Sequence, residues 1–195
     1  MKSNIDVLEE QEEYLGAKIP DKLRYRIEET VVNLYCELGI CAVPVDPFDI
    51  TNKKGYFITK SSQLPLGTLG LLGLRRLDGG SWFNTSSRNF EICYKDNQIY
   101  TRQRFTVMHE IGHITLKHTQ SCDLSEKSAD YFAQYALAPL PLVRKFGCKT
   151  FNDIVDIFNV SQESAKIVFK MYIKEKQKRR PFRTYEKKLL KLFEY

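Results

Sequence analysis

Hydrophobic positions along the chain change their spacing several times, and each change predicts an element. Residues 21–38 read as a helix, with Gly39 placed just beyond its end. Asp46-Pro47 sets a cap before a proline, which predicts a short helix closing near Gly55. Residues 56–60 and 90–94 are short β-prone runs and read as strands, and Asp96-Asn97 reads as a turn. From 101 to 117 there is no proline and a single glycine, Gly112. Phe105, Val107, Met108, Ile111, Ile114 and Leu116 there spread apolar groups around most of a helix, as in a buried one. Gly112 costs roughly 0.5–1 kcal/mol relative to alanine in a helix interior, so another element is expected to pack closely against it.

Downstream, Ala129, Phe132, Ala133, Ala136 and Leu137 form the apolar stripe of a second helix over 125–139. Ser125 or Asp123 is its candidate N-cap, and Pro139 its stop. Five of the ten glycines fall between Gly67 and Gly80, which predicts turns between short strands. No phosphate-loop spacing occurs there. The fold class expected is α+β: mainly helical, with a small sheet beside the 101–117 helix and a helical C-terminal segment. Residues 1–20 read as a flexible acidic lead-in, 21–145 as the main domain, and 146–195 as a basic helical region.

Composition agrees with a soluble protein, since 195 residues at 43% hydrophobic content can bury a good core. The N-terminal residues show neither a basic nor an apolar leader region, and no apolar run approaches a membrane span of about 18 residues. Cys36, Cys41, Cys93, Cys122 and Cys148 are odd in number and scattered, the usage expected of reduced thiols in the cytoplasm.

Chemistry concentrates in His109-Glu110-Ile111-Gly112-His113. The chain has three histidines, and two of them stand four apart here. On a helix, residues i and i+4 share a face, so both imidazoles can converge on one ion, and zinc accepts such a pair. Glu110 lies about 100° further round the helix, which suits a general base better than a ligand. A catalytic zinc needs a third protein ligand, and Glu126, thirteen residues after His113, is the candidate. Asp130 shares its helix face and fits as the carboxylate that accepts a hydrogen bond from a ligand histidine. Cys122 lies close by but reads as a loop or buried thiol.

The stretch from Arg102 to His113, continued by Glu126 to Pro139, resembles the ImmA/IrrE-type metallopeptidases. Their pattern is similar: an H-E-x-x-H helix, then a second helix with a Glu, an Ala-Asn/Asp pair, Phe-Ala and a closing proline. The resemblance implies zinc, one ion per chain, on His109, His113 and Glu126, with Glu110 catalytic. It also implies the substrate, a helix-turn-helix transcriptional repressor. One departure is Ser128, where members often carry a second glutamate; the Glu126/Asp130 spacing, like that of thermolysin-like enzymes, favours Glu126. The expected reaction is peptide-bond hydrolysis, with zinc activating water and Glu110 carrying its proton to the leaving amine. Phe90, Glu91, Ile92, Cys93 and Tyr94 form the nearest strand; an exposed edge there would hold an extended substrate, and a plain interior strand is the equal alternative, because sequence does not distinguish edge from centre. The donor to the oxyanion is not identified; Tyr100 and His118 are close in sequence but read as surface or core.

Residues 166–195 carry 11 Lys+Arg against 3 Asp+Glu, whereas residues 1–165 carry 19 against 21. Before this basic tail, residues 151–172 resemble the two helices of a helix-turn-helix, with Asn159-Val160-Ser161 in the turn. Contact with DNA phosphates is one reading of the pair, and a docking surface or solvated tail is the preferred one. The competing function is a non-catalytic, metal-stabilised regulator that binds DNA or a regulatory protein through these basic helices.

Overall fold

The computed structural model describes residues 19–65, 67, 78–120 and 122–194. The chain opens with α1 (Asp21–Leu38), which ends where Gly39 adopts a left-handed φ of 63° and donates its N–H to Tyr35 O. In α2 (Pro47–Lys54), the Asp46 side chain accepts from Phe48 N at 3.0 Å, and proline occupies the first turn. Strand β1 (Phe57–Lys60) follows, then β2 (Gly79–Asn84) and β3 (Asn89–Tyr94).

The sheet order is β1-β3-β2, with β1 parallel and β2 antiparallel to the middle strand. Asn84 makes the β2–β3 hairpin turn by accepting from Ser86 N at 2.9 Å and Ser87 N at 3.3 Å. The expected turns around Gly67 fall almost entirely outside the described residues, as does most of the acidic lead-in.

Helix α3 (Tyr100–Thr115) lies against β2 and β3, and α4 (Asp123–Leu137) packs beside it. The short α5 (Leu140–Lys145) leads to α6 (Phe151–Phe158), α7 (Gln162–Gln177) and α8 (Thr184–Leu192). The turn between α6 and α7 is residues 159–161, where Asn159 takes a left-handed conformation and the Ser161 side chain caps α7. Among the described residues the architecture is thus α+β and mainly helical, as the spacing of apolar positions predicts. No helix among them is long and apolar enough to cross a membrane.

One apolar cluster joins these layers: Val31 and Tyr35 of α1, Val107 and Ile111 of α3, and Phe132 of α4 meet Phe158 and Leu189 from the C-terminal helices. Where α3 and α4 cross, Gly112 faces Phe132; a Cβ at Gly112 would stand 3.0 Å from that ring. The glycine therefore sets how closely the two helices approach. That close approach brings the polar ends of α3 and α4 together.

Two expectations need correction. Residues 90–94 are not an edge: β3 pairs on both sides, so its backbone donors and acceptors are taken by β1 and β2. The strand with a single partner among the described residues on the α3 side is β2. The cap of α4 is neither Ser125 nor Asp123 but Cys122, whose sulfur accepts from Ser125 N at 3.4 Å. The basic C-terminal region is helical as expected, and its helix α8 packs against α1, because Tyr185 and Leu189 bury in the core.

Candidate metal centre

His109 and His113 sit one turn apart on α3, and their Nε2 atoms lie 2.9 Å from each other. Glu126, in the first turn of α4, brings Oε2 to 3.5 Å from both of those nitrogens. Zinc at about 2.0–2.1 Å from tetrahedral ligands would hold donor atoms roughly 3.3 Å apart, so this spacing fits with little adjustment. Two imidazoles and a carboxylate also form a donor set that zinc accepts in catalytic sites. The Glu126 side chain remains 45% exposed, so the side of the cluster opposite α3 faces solvent.

Groups behind the cluster orient it. Asp130 Oδ1 lies 2.8 Å from His109 Nδ1, which places the ring proton on Nδ1 and leaves the Nε2 lone pair free. His118 stands on the far side of His113, Nδ1 to Nδ1 at 3.1 Å, and so does not share the position beside Glu126. Burial opposes charge on His109, but the Asp130 hydrogen bond and the nearby carboxylates hold its pKa above the usual value. Burial and the neighbouring His109 push His113 below the usual value, which favours the neutral, ligating form.

Glu110, next to His109 on α3, is buried at 8% exposure and lines the same cleft. Ser81 of β2 donates its hydroxyl to Glu110 Oε2 at 2.6 Å. Burial raises the Glu110 pKa despite that hydrogen bond, the direction that makes a carboxylate a better proton acceptor near neutral pH. β2 reaches Glu110 because Gly79 has no side chain: a Cβ there would stand 2.4 Å from Thr106 Cγ2 and 2.9 Å from Cys93 O. Between β2 and α4 an open cleft of about 960 Å³ runs along α3, and His109, Glu110, His113, Glu126 and Asp130 all line it.

Residues 75–169 match the model of the Peptidase_M78 family, described as an IrrE N-terminal-like domain. This match supports an ImmA/IrrE-type family for the stretch 75–169. Curated proteins give no match to the sequence. For an IrrE N-terminal-like domain a metallopeptidase type of activity follows, with a polypeptide as substrate. The His-His-Glu cluster agrees with a bound metal ion.

Within the IrrE N-terminal-like domain, His109, Glu110, His113, Glu126 and Asp130 come together at the cleft. Of residues 90–94, only Phe90 lines it; Ile92 and Cys93 are fully buried in the middle strand. Tyr100 stacks on Phe48 in the first turn of α3, with ring centroids 6.3 Å apart. Cys122 is exposed and engaged in capping α4, and the same contacts with Ser125 lower its pKa. Ser81 had no signal of its own in the sequence, and His118 was noticed only as a neighbour that read as surface or core. Ser81 is an ordinary serine until the hairpin lays β2 on α3, and the Asn84-Ser86 turn was the only local hint of that hairpin. The role of His118 depends on how the chain turns after Thr115.

Proposed function

We propose that the protein is a zinc-dependent endopeptidase that cleaves a helix-turn-helix transcriptional repressor in the cytoplasm. The observation that carries the reading is Glu126 Oε2 at 3.5 Å from Nε2 of both motif histidines, beside a buried glutamate on the same cleft. Zinc held by His109, His113 and Glu126 would supply Lewis acidity to water and to the scissile carbonyl. Glu110 accepts the proton of the attacking water and returns it to the leaving amine. Ser81 fixes which Glu110 oxygen is free for that transfer. Asp130 and His118 hold the two imidazoles in orientation from behind.

An extended substrate segment would lie along β2 and pair with its backbone, since β3 has both edges taken. The repressor as substrate rests on the likeness to ImmA/IrrE-type peptidases, and the cytoplasm on the scattered cysteines. In this reading residues 21–145 supply the zinc site, and 146–195 form a helical region available to a partner, with DNA the less favoured one.

A metal-stabilised binding module is the second reading. A structural zinc would close its fourth position with Cys or His. His118 lies behind His113 rather than beside Glu126, and Cys122 is held at the α4 cap, which weighs against that alternative.

Elemental analysis after zinc reconstitution, with Glu126→Ala beside the wild type, tests the site. One zinc per chain, sharply reduced in the variant, supports the three ligands; no zinc in either overturns them. Mapping of new N termini in a lysate then separates the functions. Cleavage by the wild type and none by zinc-loaded Glu110→Gln supports the peptidase. If Glu110→Gln keeps full biological output while His113→Ala abolishes it, the binding module stands instead.

A further inference from the structure

On the opposite side of α4 from the cleft lies a second cavity, of about 180 Å³, between α1, α4 and α7. Its walls hold two buried polar atoms without a hydrogen-bond partner, Tyr135 Oη and Arg24 Nε. Tyr135 is 3% exposed, and the nearest carboxylate oxygen to Arg24 Nε, on Glu28, is 4.0 Å away. Leaving such donors dry costs about 1–3 kcal/mol each, so something within the cavity is expected to meet them.

The acids around the cavity are already engaged. Glu28 accepts the hydroxyls of Tyr131 and Tyr185, one on each oxygen. Arg180 forks onto both oxygens of Glu186 at 2.7 Å and also bonds Glu175. Five cationic and three acidic residues line the space; Lys178, Arg180 and Arg183 pair with Glu175 and Glu186, and Arg24 also pairs with Asp21, so an anion there would be met by the two unpartnered donors rather than by free charge. Leu140, Ile167 and Met171 supply an apolar wall. A cavity of about 150 Å³ suffices for a benzene-sized body.

We propose that this cavity binds a small organic carboxylate with an apolar body of about benzene size. Its oxygens take the hydrogen bonds of Tyr135 and Arg24, and its body rests on Leu140, Ile167 and Met171. The site does not rest on the peptidase reading, because Glu126 and Asp130 line the cleft while Tyr131 and Tyr135 line this cavity.

Titration calorimetry of the full chain with benzoate tests it, with benzamide and inorganic phosphate as controls. Tyr135→Phe is a fold-neutral variant, since it removes only an unpartnered hydroxyl; Arg24→Gln removes the other donor. One saturable benzoate site with Kd at or below about 1 mM is expected. Both variants and benzamide should each show binding at least about fivefold weaker, a loss of roughly one hydrogen bond. Absence of saturable benzoate binding means water alone fills the cavity and overturns the proposal. Binding unchanged in either variant, or matched by phosphate or benzamide, overturns it as well.

Discussion

Ser81 donates to Glu110 Oε2 at 2.6 Å, joining the outer strand of the hairpin to the helix that carries both motif histidines. Strand β2 and the Glu110 carboxylate are thereby fixed to one another. In Ser81→Ala the carboxylate gains rotational freedom and loses one charge-assisted hydrogen bond. That loss corresponds to about a tenfold or greater fall in kcat, with zinc content unchanged. Steady-state kinetics on a cleavable peptide beside metal analysis checks it; parallel loss of zinc would show that Ser81 supports the fold instead.

Asp130 holds His109 through Nδ1 at 2.8 Å. Asp130→Asn keeps the shape but weakens the acceptor, and zinc affinity should drop about 10–100-fold. Competition with a chromophoric chelator measures this. An unchanged affinity would mean that packing alone orients the ring.

Arg104 is 2% exposed on α3 and has no carboxylate partner among its hydrogen bonds. It donates instead to the carbonyls of Phe158 and Asn159 at the end of α6, and to Val45 O ahead of α2. Replacing it with methionine leaves those carbonyls without a donor and should cost about 2–4 kcal/mol. Urea unfolding gives the figure. A cost below the worth of one hydrogen bond would mean that water replaces the guanidinium.

Burial holds the pKa of Glu28 above the ordinary carboxylate value, against the pull of the Tyr131 and Tyr185 hydroxyls and Arg24. Its folded-state pKa exceeds the unfolded one of about 4.3, so its contribution to stability is complete below that value. The contribution is lost as pH rises through the folded pKa. Glu28→Gln does not ionise, so its stability relative to wild type should improve from pH 4.5 upward. Urea midpoints for both proteins between pH 4.5 and 8 test the trend, and a pH-independent difference would contradict it.

What the sequence determined by itself lies within a few residues of chain. His109 and His113 share a face because four residues complete about one helical turn. Gly39, Asp46-Pro47, Gly55 and Asn159 mark helix ends through backbone preferences that need no partner. Glu126 and Asp130 were legible together for the same reason, as one face of α4. Tertiary structure decided what depends on distant pairing. The middle strand and the outer strand cannot be told apart from residues 90–94, because an edge is defined by the neighbour it lacks. Ser81 gains its role only when Gly79 lets β2 settle onto α3, 29 residues away in sequence from Ser81 to Glu110. The cavity behind α4 likewise assembles residues from α1, α4 and α7 that share no local pattern, since burial and unmet hydrogen bonds arise only when separate segments pack.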